Sequence, residues 1–245
     1  MNVYILLGTR APVIFLFFFL CSTGSAEVHQ LDTNFDGKMD QWQTLTADGK
    51  IEKIEYDKTG NGKIDQRDIY AGGDTIVKAE MDRNQDGKMD QIQHYDKSGK
   101  LLRVQKDSKF SGNFDVTEFY GSGATPAKIE IDENHNGATD IWQYFDDKGA
   151  LIRVERDRSN NGLPDVWEYY GPNESFDSAA FDTNGDKKPD QWQYFEGNKI
   201  LKGVEYDTNR DGEVDRWEYY KSNGNLDRIE IDRNFDGKVD LITKQ

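Results

Sequence analysis

The stretch Asp32–Asp40, DTNFDGKMD, carries oxygen-bearing side chains at alternating positions. Aspartate or asparagine stands at its first, third, fifth and ninth positions, and glycine stands at the sixth. Side chains on alternate residues of a tight glycine turn are able to converge on one point, where a hard cation such as Ca²⁺ takes about six to eight oxygens. The stretch therefore predicts a calcium-binding loop in which Asp32, Asn34, Asp36 and Asp40 are the ligands.

The same nine-residue frame returns every 25 residues without an insertion or deletion. A fixed period of this kind indicates a repeat architecture, in which each unit packs on its neighbours. The natural unit is a strand, a loop and a second strand, and the chain contains nine of these units. The first-position aspartates are Asp32, Asp57, Asp82, Asp107, Asp132, Asp157, Asp182, Asp207 and Asp232, and the ninth-position aspartates are Asp40, Asp65, Asp90, Asp115, Asp140, Asp165, Asp190, Asp215 and Asp240.

The candidate calcium ligands come from six of the nine loops. Four of these loops have the full oxygen pattern. In the loop that begins at residue 182 a lysine, Lys187, replaces the glycine, and the loop that begins at residue 132 has two asparagines and so fewer charges. The predicted ligands are Asp32, Asn34, Asp36, Asp40, Asp82, Asn84, Asp86, Asp90, Asp132, Asn134, Asn136, Asp140, Asp182, Asn184, Asp186, Asp190, Asp207, Asn209, Asp211, Asp215, Asp232, Asn234, Asp236 and Asp240.

The other three loops are poorer candidates. The loops that begin at residues 57 and 157 place Thr59 and Ser159 at the third position. The loop that begins at residue 107 places Lys109 there, and a cation at a ligand position repels calcium. Aspartate, asparagine and glycine also form hydrogen-bonded turns without any ion, and this is the alternative interpretation of all nine loops.

The loops resemble the calcium loop of the EF-hand, and more closely the shortened loops of dockerins and thrombospondin type 3 repeats. The likeness covers the nine positions of the frame, including an apolar eighth residue such as Met39 or Val214. It implies calcium as the bound ion. The twelfth-position glutamate of the EF-hand falls on glutamine in alternate loops, as at Gln43, and the flanking segments are not helical. The resemblance therefore extends to the loop and not to the EF-hand fold.

The composition is acidic and moderately apolar. Apolar residues make up 35% and charged residues 31% of the chain, and the formal net charge is −15. Twelve Tyr, thirteen Phe and five Trp favour a folded chain over a disordered one, because many of them recur in register with the repeat. The negative charge disfavours nucleic acid and anionic membrane surfaces as partners, and it suits a chain that binds divalent cations.

Two strand-like segments follow each loop. Residues 141–145 and 151–155 are rich in aromatic and β-branched residues, and a turn that contains Gly149 separates them, which is a pattern typical of β-hairpins. These hairpins resemble the repeats of RHS/YD-type proteins and of choline-binding wall proteins. The third residue after the loop alternates between glutamine and an acid from one repeat to the next, which indicates a structural unit of 50 residues.

We expect an all-β fold, in the form of an elongated solenoid or superhelical ribbon of nine 25-residue β-hairpin repeats with the calcium-type loops on one edge. A small β-propeller with four-stranded blades of 50 residues is the alternative. Alternation along the strands predicts that the tryptophan column, for example Trp142, shares one face with aliphatic residues such as Val154. It predicts that the basic and acidic columns, for example Arg153 and Glu155, lie on the other face.

Residues 1–26 differ in character from the repeats. Arg10 precedes the apolar run APVIFLFFFL, and small residues end the segment at Ala26. This pattern predicts a secretory signal peptide that is cleaved after Ala26, and it leaves residues 27–245 as the repeat domain. A lipoprotein anchored through Cys21, the only cysteine, is the alternative. We therefore expect a secreted or periplasmic protein that has no membrane span.

No motif of the sequence indicates catalysis. His29, His94 and His135 fall at unrelated positions of the repeat, and the sequence contains no nucleophile motif and no phosphate-binding loop. We expect a calcium-binding repeat protein that serves as a structural or interaction module and not as an enzyme, with a protein or glycan partner at the cell surface. Lectin-like binding of cell-surface or cell-wall glycans by the aromatic columns is the alternative.

Overall fold

A computed structural model describes residues 27–197 and 199–245, so the predicted signal peptide and Cys21 lie outside the described residues. The fold is all-β, as expected, and consists of one antiparallel sheet of 18 strands. No helix within these ranges is long and apolar enough to cross a bilayer. The strands, β1 to β18 in chain order, are Glu27–Leu31, Gln41–Leu45, Ile51–Tyr56, Gln66–Tyr70, Ile76–Met81, Gln91–Tyr95, Leu101–Lys106, Val116–Tyr120, Pro126–Ile131, Ile141–Phe145, Leu151–Arg156, Val166–Gly171, Ser175–Phe181, Gln191–Glu196, Ile200–Tyr206, Arg216–Tyr220, Leu226–Ile231 and Leu241–Lys244.

Each strand from β2 to β17 pairs with the strand before it and the strand after it in the chain. Hydrogen bonds close each long loop and also join one loop to the next: the Asp40 N–H donates to the Leu31 carbonyl within the first loop, and the Asp57 N–H of the second loop donates to the Asp40 carbonyl, both at 2.9 Å. This meander places the nine long loops at one edge of the sheet and the short turns at the other. Among the described pairings β1 joins only β2 and β18 joins only β17, so the sheet is open.

The propeller alternative is wrong. A propeller divides its strands into separate blades, whereas hydrogen bonding here runs without a break from β1 to β18. The cause lies in the nine-residue loop, because its two ends pair as closely as those of a short turn, with Leu31 opposite Gln41. Consecutive hairpins therefore join edge to edge in one layer.

A bulge accompanies the short turn of the first hairpin. The Thr46 N–H donates to the Lys50 carbonyl at 2.8 Å, and Gly49 takes a φ of 79°, a left-handed conformation that glycine adopts readily. The pairing then shifts by one residue between Thr44 and Leu45. Similar shifts recur beside the other short turns. A shift of one residue exchanges the faces of one strand relative to the next.

The predicted grouping of the faces is therefore wrong. Trp142 lies opposite Glu155, whereas Val154 lies opposite Gln143 and Glu168. Residues directly opposite in an antiparallel pair point to the same face, so the tryptophan column shares its face with the charged columns. The alternation of side chains along a single strand gives no sign of a bulge in the pairing of two strands. We name the tryptophan face by Trp42, Trp142, Trp167, Trp192 and Trp217, and the aliphatic face by Ile54, Val104, Val154 and Val204.

The aliphatic face holds most of the buried apolar side chains. Its defining residues recur every 50 residues and are only 2–6% exposed. The described strands contact chiefly their neighbours in sequence, so burial does not come from a second layer. With no second layer, side chains on the flanking rows of the same face account for the burial of the central row. This row is the core of the sheet.

Ion pairs cover much of the tryptophan face. Lys53 Nζ lies 2.9 Å from Glu55 Oε2 on the same strand, and Arg228 Nε lies 2.7 Å from Glu230 Oε1. Arg67 adds a cross-strand pair to Glu55 at 2.8 Å. The charge pairs of this face form mainly along single strands. Partly exposed pairs of this kind each contribute about 0.2–1 kcal/mol.

The 50-residue period has a structural cause on the aliphatic face. The second, fourth, sixth and eighth repeats place an acid in the central row of this face, and polar groups surround it. These acids are Asp68, Glu118, Glu168 and Glu218. Glu218 accepts hydrogen bonds from the Tyr220 hydroxyl at 2.7 Å and from the Tyr206 hydroxyl at 3.4 Å, and Glu168 pairs with Arg156 at 3.4 Å. In these repeats the residue just before the loop is therefore a hydrogen-bond donor to the acid, as at Arg156 and Tyr206.

Candidate calcium loops

The first aspartate of each loop accepts hydrogen bonds from the backbone of the same loop. The Gly37 N–H donates to Asp32 Oδ2 at 2.8 Å, and the Asp36 N–H donates to Asp32 Oδ1 at 3.2 Å. A bond from the sixth-position N–H to the first aspartate occurs in all nine loops. These bonds fold each loop into a compact turn around its first carboxylate.

The ninth aspartate closes the loop from the other side. The Asp40 carboxylate accepts hydrogen bonds from the Thr33 N–H at 3.0 Å, the Thr33 hydroxyl at 2.9 Å and the Asn34 N–H at 3.3 Å. The Thr33 N–H is the main cause that holds the pKa of Asp40 below its usual value. The carboxylate is therefore ionised at neutral pH and fixes the end of the loop to its beginning.

The loops share a backbone conformation that many of their residues do not favour. Lys187 takes a φ of 79° and donates its N–H to Asp182 Oδ2 at 2.8 Å, so this loop keeps the common shape, at a cost in strain, without the glycine. A left-handed conformation costs a non-glycine residue about 1–2 kcal/mol. The fourth position also takes a positive φ, of 54–68°, at Phe35, Gln85, Phe110, His135, Asn160, Arg210 and Phe235.

Most of the first- and ninth-position aspartates of the loops are buried. Neighbouring loops lie two strands apart, about 10 Å, and like charges at that distance in partly desolvated sites repel by on the order of 1 kcal/mol for each pair. A row of buried negative charge therefore runs along the loop edge. Twelve of the eighteen first- and ninth-position aspartates are only 2–8% exposed, namely Asp57, Asp65, Asp82, Asp90, Asp107, Asp115, Asp140, Asp157, Asp190, Asp207, Asp215 and Asp232.

The donor set of the loops fits a hard cation in its chemistry. Carboxylate and amide oxygens are the ligands that calcium prefers. Asn84 Nδ2 donates to Asp86 Oδ2 at 3.1 Å, which brings the third and fifth positions of one loop together. In the same loop Oδ1 of Asp90 is buried and has no hydrogen-bond partner. This oxygen is therefore a candidate ligand that the protein itself leaves unsatisfied.

The carboxylates do not converge on one point in this arrangement. Across residues 27–197 and 199–245, no group of three or more aspartate, glutamate, histidine or cysteine side chains gathers in a way that could hold a metal ion. The ligands predicted for each of the six loops lie within one compact turn, and backbone hydrogen bonds hold that turn closed. These hydrogen bonds are the ones expected if the loops are turns that bind no ion.

Neighbouring loops contact each other through polar side chains. Lys63 Nζ donates to the Asp86 carbonyl at 2.9 Å. Lys109, which was expected to repel calcium from its own loop, lies with Nζ 2.6 Å from His135 Nε2 of the next loop. These residues are 23 and 26 positions apart, and only the pairing of whole hairpins brings them together. Sequence spacing within one loop gives no sign of such contacts.

Tyrosine–glutamate pairs are a second feature that the loop pattern does not reveal. The Tyr120 hydroxyl donates to Glu118 at 2.8 Å, and the Tyr194 hydroxyl donates to Glu205 at 2.9 Å. Burial, reinforced by the neighbouring carboxylate, raises the pKa of Tyr120, Tyr194 and Tyr220 to about 12. The signal in the sequence is an acid two residues before the tyrosine, as at Tyr120 and Tyr220.

We expect the stability of the fold to decrease between pH 10 and pH 12. A tyrosine whose pKa is about 10 in the unfolded chain and about 12 in the folded chain binds more protons when folded in this interval. The free energy of unfolding therefore decreases as the pH rises. An ultraviolet titration should show late tyrosine ionisation, and Tyr120→Phe should remove one group from it. A titration that is identical in the variant would contradict the assignment.

No known protein family matches the sequence, and no curated protein is similar to it. Among solved structures, accessory secretory protein 1, 2 and 3 of Streptococcus pneumoniae matches 53% of this chain and 21% of that chain, with 17% identity and a TM-score of 0.26. TcdB2-TccC3-Cdc42 matches 89% of this chain and 16% of that chain, with 11% identity and a TM-score of 0.24. TcdB2-TccC3 without the hypervariable C-terminal region matches 89% of this chain and 15% of that chain, with 11% identity and a TM-score of 0.23. These similarities are weak, and the chain spans about a fifth or less of the length of each matched chain.

Proposed function

We propose that this chain is a secreted or periplasmic calcium-binding repeat protein that serves as a structural and interaction module. The row of buried loop aspartates is the observation that carries the proposal. The acidic turn recurs nine times along one edge of an open sheet, in a chain with a net charge of −15. Divalent cations in the loops would offset the repulsion among these carboxylates.

In a full loop the first, third, fifth and ninth positions would hold the ion, for example Asp82, Asn84, Asp86 and Asp90. Oδ1 of Asp90 supports this assignment because it is buried without a donor. A buried acceptor that is left unsatisfied costs about 1–3 kcal/mol, and a bound cation would offset that cost. Calcium would supply a fixed positive charge that joins the two ends of the loop.

The architecture supports a scaffold role. Each hairpin contacts chiefly its neighbours, so the sheet extends by repetition and offers two long faces. Loops stiffened by an ion at one edge would keep these faces in a fixed geometry. The proposal includes no catalytic step, and the partner it implies is a protein or glycan of the cell surface.

Asp86→Ala is expected to reduce the number of bound Ca²⁺ ions by one. Asp86 supplies the fifth-position carboxylate of a full loop, and its removal leaves too few oxygens to hold the ion. Ser111 occupies the same position in the loop that contains Lys109. Ser111→Ala is the matched control and is expected to leave the ion count unchanged in isothermal titration calorimetry.

Circular dichroism of both variants shows whether the sheet stays folded during this comparison. If Asp86→Ala and Ser111→Ala both lose one ion, the ranking of the loops is wrong. If neither variant loses an ion, Asp86 is not a ligand, and the ligand assignment of the full loops is wrong.

Binding of cell-surface or cell-wall glycans is the second candidate function. Its support is the exposure of two tyrosine rings on the tryptophan face, where Tyr169 is 38% and Tyr194 is 41% exposed. Exposed aromatic rings offer a flat apolar surface to a sugar ring. Retention on a polysaccharide column that is lost in Tyr169→Ala would favour this function over a protein scaffold.

A further inference from the structure

Basic and aromatic side chains alternate in one row of the tryptophan face. The Arg153 guanidinium lies 4.1 Å from the ring centre of Tyr144. The Arg228 guanidinium lies 3.6 Å from the ring centre of Tyr219. Lys128 Nζ lies 5.8 Å from the Tyr144 ring on its other side. Cations at these distances are attracted to the ring faces, so the row is a series of cation–π contacts.

The row is interrupted at Gly203. This residue lies directly between Tyr194 and Tyr219, at the position where Arg153 and Arg228 stand in their own strands. Since glycine has no side chain, a pocket of about 190 Å³ remains between the two tyrosines. We name this pocket the Gly203 slot, and its other lining residues include Glu205 and Trp217.

The Gly203 slot retains the acid that normally pairs with the missing base. Elsewhere in this column a glutamate pairs with the basic residue two positions before it. Glu205 accepts a hydrogen bond from the Tyr194 hydroxyl at 2.9 Å, and no described basic side chain forms an ion pair with it. Lys202 at the rim pairs with Glu196 at 2.8 Å instead. The slot therefore combines two aromatic walls with one carboxylate that lacks a cation.

A second position in the same row also lacks a basic side chain, and comparing this gap with the Gly203 slot shows what is particular to the slot. Ser178 lies between Tyr169 and Tyr194 and also lacks a basic side chain. In its strand Ala180 occupies the place of the glutamate, so this gap has aromatic walls without a negative charge. Only the Gly203 slot offers both, among the described positions of this row.

We propose that the Gly203 slot binds the guanidinium group of an arginine side chain from a protein partner. Its two tyrosines lie two strand spacings apart, about 10 Å, so a flat group midway lies within about 6 Å of both ring centres, as cation–π attraction requires. Arginine suits the slot better than lysine because its planar group stacks on rings and binds a carboxylate through two N–H groups. This inference deepens the interaction part of the proposed function and does not depend on calcium in the loops.

The probe for this site is N-acetyl-arginine amide, titrated into the full chain and followed by nuclear magnetic resonance. N-acetyl-citrulline amide has nearly the same shape without the charge, and it is expected to bind at least about tenfold more weakly. Glu205→Gln is expected to weaken binding of the arginine amide by about tenfold. Gly203→Arg places the protein's own guanidinium in the slot and is expected to abolish binding.

Ser178→Arg is the matched control, because it adds an arginine to the neighbouring gap and leaves the Gly203 slot open. The added arginine contacts Tyr194 from the side away from the slot, so the arginine amide is expected to keep binding, with at most a few-fold loss of affinity. A Cβ at residue 203 would lie 3.3 Å from the Glu218 carbonyl oxygen, so the fold of Gly203→Arg is checked by circular dichroism. If that variant does not fold, Glu205→Gln still tests the slot, because it keeps the size of the side chain.

Equal binding of the arginine and citrulline compounds would overturn the proposal, as would arginine-amide binding that persists in folded Gly203→Arg. Absence of binding by the parent would overturn it as well. A neutral oligosaccharide that binds at the slot and is insensitive to Glu205→Gln would assign the slot to glycans instead. Calcium counts measured on the same variants separate a failure of the slot from a failure of the loop proposal.

Discussion

Val154→Asp is expected to unfold the centre of the sheet, with a loss of more than about 3 kcal/mol in the free energy of unfolding. Val154 is 2% exposed in the central row of the aliphatic face. Its direct neighbours across the strands are Gln143 and Glu168, and Arg156, the base two residues along on the same face, already pairs with Glu168. A carboxylate here would be desolvated beside another acid. The loss is a large share of the about 5–15 kcal/mol that stabilises an ordinary domain.

Ile152→Asp is the matched control for this substitution. Ile152 lies in the same strand, two residues before Val154, but it is 43% exposed. An aspartate there remains hydrated, and the expected change is within about 0.5 kcal/mol. Urea denaturation followed by circular dichroism compares the two variants with the parent. Equal midpoints for Val154→Asp and Ile152→Asp would mean that the aliphatic face is not the core.

The repeat period was sufficient to predict the class of the fold and the placement of the loops. Aromatic and β-branched segments separated by turns predicted consecutive hairpins, and the chain forms them as one open antiparallel sheet. Because the spacing is a constant 25 residues, every loop joins the end of one hairpin to the start of the next. All nine loops therefore lie along one edge of the sheet. Whether the hairpins form one sheet or separate propeller blades depends on whether the two strands that flank each nine-residue loop pair with each other. The sequence alone does not show this pairing.

The distribution of side chains between the faces could not be predicted from alternation. The bulge next to Thr44 adds one residue to one strand of the hairpin, and this exchanges the partners of Trp42. A one-residue shift carries no signal in hydrophobic periodicity, because each strand still alternates within itself. The sequence pattern did contain Gly49, whose left-handed φ belongs to the turn beside the bulge.

The loops were predicted well as turns and less completely as sites. The spacing identified the residues that close each turn, including Asp32 and Asp40, and these residues accept the backbone hydrogen bonds. Burial of the aspartates follows from the stacking of whole hairpins, which no single loop sequence contains. The Gly203 slot was missed for a related reason, since its walls come from two strands that flank a third.

Removal of calcium is expected to lower the melting temperature of the repeat domain by a large amount. A site that is saturated at about 100 times its dissociation constant stabilises the folded chain by about 2.7 kcal/mol. For a domain of this size, about 1 kcal/mol corresponds to about 2–4 °C. One saturated loop therefore contributes about 5–10 °C, and several loops together contribute more. The gain would arise because the ion joins carboxylates that otherwise repel each other.

Magnesium is the matched control for the ion. It has the same charge as calcium, so it screens the loop edge to a similar extent, but it requires a tighter octahedron of oxygens and releases its water less readily. A specific calcium loop should therefore distinguish the two ions. A purely electrostatic effect on an acidic chain should not.

The most direct measurement is the thermal melting of residues 27–245 in calcium, in magnesium and in chelator, followed by circular dichroism at equal ionic strength. Calcium-binding loops predict a melting temperature at least about 5–10 °C higher in calcium than in chelator, with magnesium close to the chelator value. Equal melting temperatures in calcium and in chelator would contradict the calcium proposal and leave the nine loops as hydrogen-bonded turns.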